Sequence, residues 1–310
     1  MQGMALAKAY YEDYGKPMLE NRFADWQAHM AVGLVGEGSE CFGYDDAFST
    51  DHDFGPGFCI WLSEPVYAQI GAELAQAYDA LPKQYRGYQR LETALAGQRV
   101  GVWPLERFYA KYTGLAHPPR DNMEWLRIPE SHLATCTNGQ VFWDGPGDFS
   151  AWRQTLLNFY PDDVVKKKLA ARCAQMAQTG QYNYGRALKR GDHYAAYLAA
   201  GLFVQHTLAA FFLLNRCYMP FYKWAFRATE RFHVLKESVE KLKTFTSLTD
   251  GEQAAQKRTL IEDICADVVD ALNRQGFTRS SEVFLQVQAE ELMRGINDSR
   301  LRALHILADA

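Results

Sequence analysis

Ala31-Val32-Gly33-Leu34-Val35-Gly36-Glu37-Gly38-Ser39 is the stretch on which the reading of this chain turns. Five mostly apolar residues run into a glycine turn, the pattern of a short buried strand that ends abruptly. Glycine lets backbone N–H groups approach an anion closely, and Ser39 adds a hydroxyl donor. Eleven residues separate Ser39 from Asp51-His52-Asp53. The residues from Asp51 to Leu62 read as a second strand region, interrupted at Gly55-Pro56-Gly57 by a bulge or bend. On a strand, positions i and i+2 share a face, so Asp51 and Asp53 project together and His52 points away.

That arrangement suits chemistry on a triphosphate. The leaving pyrophosphate gains charge, and divalent metals neutralise it while aligning the attacking oxygen. Magnesium takes hard oxygen ligands, so converging carboxylates are the requirement. Asp51 and Asp53 are the candidate metal ligands, and Gly38 and Ser39 the candidate phosphate cradle. No Gly-Lys-Ser/Thr follows the turn, so it is not a Walker loop. Cys41 stands where the dinucleotide fingerprint needs its last glycine.

Outward from this core, the first thirty residues read as helix. Leu6, Tyr10 and Tyr14, then Met18, Phe23, Trp26 and Met30, fall near helical spacing, with Gly15-Lys16-Pro17 as a break. Glu64 to Leu81 reads as a helix stopped at Pro82, residues 98–103 as a third strand, and Pro104 opens a helix to about Tyr112. Residues 114–150 are rich in turn formers, with a short strand at Gln140-Val141-Phe142-Trp143 ended by Asp144-Gly145-Pro146-Gly147. From Ala151 onward helical patterns dominate, one starting at Pro161-Asp162-Asp163, with Gly180, Gly191, Pro220 and Asp250-Gly251 as punctuation. The expectation is an α+β chain: a mixed-sheet domain over 1–150, then an all-helical domain over 151–310.

The 310 residues are 48% hydrophobic, enough for a sizeable core. A formal charge of −4, from 33 basic and 37 acidic side chains, gives no global field for a polyanion. Six scattered cysteines without C-x-x-C spacing read as buried, reduced thiols. The start lacks a basic region ahead of a long apolar run, so no signal peptide is expected. Tyr194 to Leu214 is long enough for a membrane span, but its Ala, Gly and aromatic content suits a central bundle helix, the reading preferred here. A cytoplasmic chain, possible as a homodimer, with no membrane partner is expected.

Several later residues invite a site reading. Arg186, Lys189, Arg190 and Lys223 are candidates for phosphate or an acidic acceptor. Lys189 and Arg190 read more simply as solvated. Lys223 stands between Tyr222 and Trp224, in an apolar context where a charge requires a partner. Asp192 either positions an acceptor hydroxyl or caps the following helix, the safer reading. His206 reads as a core histidine, and Lys166-Lys167-Lys168 as a solvated helix face.

A strand, Gly-Ser, eleven residues and Asp-x-Asp together resemble the signature of the DNA polymerase β-like nucleotidyltransferase superfamily. Gly38-Ser39-Glu40-Cys41 and Ser49-Thr50-Asp51-His52-Asp53-Phe54-Gly55-Pro56 narrow the resemblance to the bacterial DUF4037 family. So do Gly139-Gln140-Val141-Phe142 with Asp144, and Tyr160-Pro161-Asp162-Asp163-Val164. Gly185-Arg186, Arg190-Gly191-Asp192 and Tyr218-Met219-Pro220-Phe221-Tyr222-Lys223-Trp224 complete the set, from about residue 30 to 230. The resemblance implies two Mg²⁺ ions, a nucleoside triphosphate donor (ATP being the expected one) and a mixed-sheet catalytic domain. Antibiotic nucleotidyltransferases are kin, and in them a helical C-terminal domain helps hold the acceptor. The acceptor is expected between the domains, as a small molecule such as an aminoglycoside, an RNA or a protein.

The superfamily places a third carboxylate on a later strand, as ligand or general base. The strand at Arg99-Val100-Gly101-Val102-Trp103 has none, with Gly101 where it would stand. Glu106 and Asp144 are the substitutes, with plain alternatives as a helix-start carboxylate and a turn residue. Two further functions follow: a nucleotide-binding regulatory or toxin–antitoxin component with little or no turnover, and a purely structural helical protein.

Overall fold

The computed structural model describes residues 1–46, 54–90 and 98–308. Asp51, His52 and Asp53 lie outside the described residues. The fold is α+β with a mixed sheet. Two compact units divide the chain: residues 1–118 with 132–158, and residues 119–131 with 159–310. The sequence suggested one cut near 150. The segment 119–131 instead belongs to the helical unit.

The first unit carries strands β1 (Met30–Leu34), β2 (Cys59–Leu62), β3 (Gln84–Tyr85), β4 (Tyr88–Gln89), β5 (Gly101–Pro104) and β6 (Gln140–Asp144). β3 and β4 form a small hairpin, and the others a sheet ordered β5-β2-β1-β6. β1 is antiparallel to β2 and β6, and β2 is parallel to β5. The β1–β6 register shifts between Val32 and Gly33. A Cβ at Gly33 would stand 2.5 Å from the Gln140 carbonyl, so only glycine allows that close approach.

Both sheet faces are covered, which explains why β1 and β2 are buried throughout. Val32, Ile60 and Leu62 pack with Leu6, Tyr10 and Leu19 of the N-terminal segment and with Leu74 and Tyr78. Those last two lie on helix Glu64–Asp79. Alternation sends Trp61 to the other face, where it stacks on Phe149 at 3.9 Å between ring centroids and meets Phe108 edge-on.

The predicted break at Gly15-Lys16-Pro17 is not a break. Helix Gly3–Tyr10 passes through a π-helical turn, Tyr11–Gly15, directly into helix Lys16–Arg22. Pro17, interior to this run, has no N–H for the preceding turn, and the wider π-helical turn lies directly ahead of it. The turn-rich reading of 114–150 also missed two short helices, Asn122–Leu126 and Glu130–Cys136.

In the second unit, helix Asp162–Met176 is central. Val164, Val165, Leu169, Ala170 and Cys173 are buried on several of its faces. Gly180 does not punctuate either. It lies inside a π-helical stretch, Ala177–Tyr184, and a Cβ there would collide with the Phe203 ring. Helix His193–Leu214 meets the length and composition of a membrane span, yet 67% of its most apolar window is buried. Packing inside the unit therefore accounts for most of its apolar surface.

Candidate functional site

The glycine turn is the anchor of the site. β1 ends at Leu34, and Gly36 and Gly38 take φ of 128° and 121°, values that L side chains rarely adopt. A Cβ on Gly38 would also collide with the Arg99 guanidinium. Gly36 is clamped from the loop that precedes β6: its N–H donates to Asn138 Oδ1 at 2.9 Å, and Asn138 Nδ2 donates to its carbonyl at 2.8 Å. Arg153 Nη2 holds the Asn138 segment by donating to the carbonyls of Thr137 (2.7 Å) and Asn138 (3.1 Å). Among the described residues, nothing accepts from the N–H groups of Glu37, Gly38 or Ser39. Those amides remain available to an anion.

Two ion pairs flank the turn among the described residues. Arg99 Nη2 donates to Glu40 Oε1 at 2.5 Å and to the Glu37 carbonyl at 2.7 Å. Lys111 Nζ donates to Glu37 Oε2 at 2.9 Å. Arg99 and Glu40 are both largely buried, so the ion pair offsets part of the cost of enclosing the two charges. Neither nearby thiol is a nucleophile. Burial pushes Cys59 up to about 12, and burial, then Glu40, raises Cys41 well above its ordinary value.

Beside the turn, a cavity of about 410 Å³ is lined by Glu40, Arg99, Phe54, Pro56, Arg90 and Tyr78, among others. That volume falls in the range of small-ligand sites. Phe54, the first described residue after Asp53, is on its wall. Arg90 is buried: Nε donates to the Pro56 carbonyl at 2.9 Å and Nη2 to Tyr10 Oη at 3.1 Å. Its guanidinium lies 4.7 Å from the Tyr78 ring centroid. Arg90 therefore fixes the Pro56 bend to the core.

The substitutes for a third carboxylate are both used elsewhere. Glu106 Oε2 accepts from the Glu64 N–H at 3.1 Å, capping the start of helix Glu64–Asp79 rather than its own helix, Leu105–Thr113. Asp144 accepts from the N–H of Gly147 (2.9 Å) and of Ser150 (2.8 Å), one per oxygen, fixing the turn into helix Asp148–Leu157. Among the described residues, no group of three or more His, Cys, Asp or Glu could hold a metal ion. The candidate ligands Asp51 and Asp53 lie outside the described residues, so that search does not include them.

The remaining candidates lie in the helical unit. Asp192 caps helix His193–Leu214 by accepting from the Ala195 N–H at 2.9 Å. Lys223 is exposed, with its ammonium 4.5 Å from the Trp224 ring centroid, so the apolar context expected of it is absent. Arg186 is exposed and donates to Tyr182 Oη at 2.8 Å. The solvated reading of the lysine run is overturned: Lys167 and Lys168 are 0% and 1% exposed. Lys167 Nζ donates to the carbonyls of His305, Ile306 and Ala308 at 3.0, 2.9 and 2.7 Å. Lys168 Nζ lies 3.9 Å from Glu130 and 5.2 Å from the Tyr160 ring centroid. All six cysteines are free thiols, and Cys217 is exposed rather than buried.

Sequence reasoning missed Arg99, Lys111 and Asn138. Arg99 lies just before β5, in the segment where the sequence pointed to a missing acid rather than to a base. Residues 125–225 match the family described as a domain of unknown function, DUF4037. The match covers about a third of the chain. It spans β6 and the start of the helical unit, and includes Asp144, Arg186, Asp192 and Lys223; the glycine turn and residues 51–53 precede it. No curated protein matches the chain. A similar solved structure is that of a nucleotidyltransferase-like protein from Exiguobacterium sibiricum 255-15. It has 11% identity and a TM-score of 0.38, covering 91% of this chain and 81% of that one.

Proposed function

We propose that this DUF4037 protein is a nucleotidyltransferase whose first unit binds a nucleoside triphosphate, ATP being the expected donor, at the Gly36–Ser39 turn. The single observation behind this reading is the turn itself. Amides of Glu37, Gly38 and Ser39 without acceptors among the described residues follow a buried strand, beside a cavity that Arg99 enters. In the reaction, an acceptor hydroxyl oxygen bonds to the α-phosphorus, and the bond from that phosphorus to the pyrophosphate oxygen breaks. The hydroxyl proton passes to solvent, and the nucleotidylated acceptor and pyrophosphate leave. Asp51 and Asp53 are the proposed oxygen ligands for Mg²⁺.

A second reading, nucleotide binding with little or no turnover, has its own support: Glu106 and Asp144 are both committed to backbone N–H groups. Incubation with α-³²P-labelled ATP, Mg²⁺ and candidate acceptors separates the two. Label transferred by the wild type and lost in Asp51→Asn supports transfer. Tight ATP binding without any transfer selects the second reading, and absence of ATP binding overturns both.

A further inference from the structure

A second cavity, of about 550 Å³, lies wholly within the helical unit. Its walls are the π-helical stretch Ala177–Tyr184, the short helix Gly185–Lys189 and the first part of helix Ala254–Arg274. A π-helical turn widens the helix, an irregularity that recurs at functional sites. Three cations line the cavity: Arg186, Lys189 and Arg258. All three are exposed. Among the described residues, no carboxylate lies within ion-pair distance of any of them.

The one carboxylate on the wall, Glu262, is engaged by Gln181 Nε2 at 2.8 Å. Gln181 is fixed in turn, since its Oε1 accepts from the Leu285 N–H at 3.0 Å. Arg186 is oriented by Tyr182, with its guanidinium 4.6 Å from the ring centroid. Arg258 lies against Gly185, where a Cβ would stand 3.3 Å from its Nε. Two guanidiniums are thus positioned and uncompensated. Lys189 adds a third charge, and Glu262 with Gln181 offers partners for hydroxyl groups.

We propose that this cavity binds a small phosphorylated compound with free hydroxyl groups, held by Arg186, Lys189 and Arg258. Guanidiniums bind phosphate in a bidentate manner, and an ammonium adds a point charge. The volume fits a small molecule. The overall charge of −4 argues against a polynucleotide as occupant.

The test is calorimetric titration of the full chain with ribose 5-phosphate and with ribose. The phosphate ester binds, ribose does not, and added salt weakens binding. Arg258→Gln with Lys189→Gln lowers the affinity at least about tenfold. These exposed side chains leave the thermal unfolding midpoint in place. The Arg99→Gln variant keeps ribose 5-phosphate binding even where it loses ATP, which separates this cavity from the glycine turn. Equal binding of ribose, undiminished affinity in Arg258→Gln/Lys189→Gln, or no binding of the ester overturns the proposal.

Discussion

Two basic regions of the helical unit differ in what their charges meet. Lys166-Lys167-Lys168 carries two lysines that are fully enclosed, one on three backbone carbonyls and one near Glu130. Arg186, Lys189 and Arg258 stand around an open cavity without a carboxylate partner among the described residues. The first set has its hydrogen-bonding capacity consumed by the fold. The second keeps that capacity for a ligand. The same division sorts the first unit: the carboxylates of Glu106 and Asp144 are satisfied by helix ends, whereas amides of the glycine turn are not.

The strongest challenge to that division is Lys167→Met. It leaves three carbonyls without their charged donor and should cost about 2–4 kcal/mol in urea unfolding. Lys189→Gln, by contrast, should stay within about 0.5 kcal/mol. Equal effects would erase the distinction between the two regions.

Gly38→Ala comes next. Its φ of 121° and the collision with Arg99 predict a loss of about 1–3 kcal/mol, with nucleotide affinity falling as the turn reshapes. Unfolding and ATP titration on one sample check both parts. Buried thiols sharpen the comparison through pH. Burial raises Cys59, Cys136 and Cys173 to about 12. An unfolded cysteine ionises near about 8.5, so stability is fully present below that pH and declines from about pH 9 to 12, as the unfolded chain sheds protons first. Stepwise unfolding measurements across that window should show the fall, and at neutral pH a thiol reagent should modify Cys217 ahead of the other five. The smallest effect is expected from Glu106→Gln. The amide oxygen can still cap helix Glu64–Asp79, so stability should change by less than about 1 kcal/mol and ATP affinity should hold. Loss of nucleotide binding in that variant would return Glu106 to the site.

The sheet was legible because β1 and β2 are apolar runs bounded by glycine and proline signals, and Pro104 and Pro161 mark helix starts where they stand. Glycines misled where they serve packing. Gly15 would collide with Phe58, and Gly180 with Phe203, contacts that no local pattern records. The lysine run was misread because its partners lie nearly 140 residues away, at His305, Ile306 and Ala308. The glycine turn after β1 was legible from its apolar run and its glycines. Arg99 was not, because its role depends on Glu37 and Glu40 meeting it across the sheet. Lys223 shows the converse error, since aromatic neighbours in sequence do not enclose a side chain on a short exposed helix.

The central claim is that the turn at Gly36–Ser39 and the carboxylates of Asp51 and Asp53 form one nucleotide site. Calorimetric titration of ATP with Mg²⁺ into wild type, Gly38→Ala and Asp51→Asn/Asp53→Asn tests it most directly. The account predicts binding in the wild type and clear weakening in both variants, with thermal midpoints confirming that each is folded. ATP binding of equal strength in all three proteins, or none in the wild type, would contradict it.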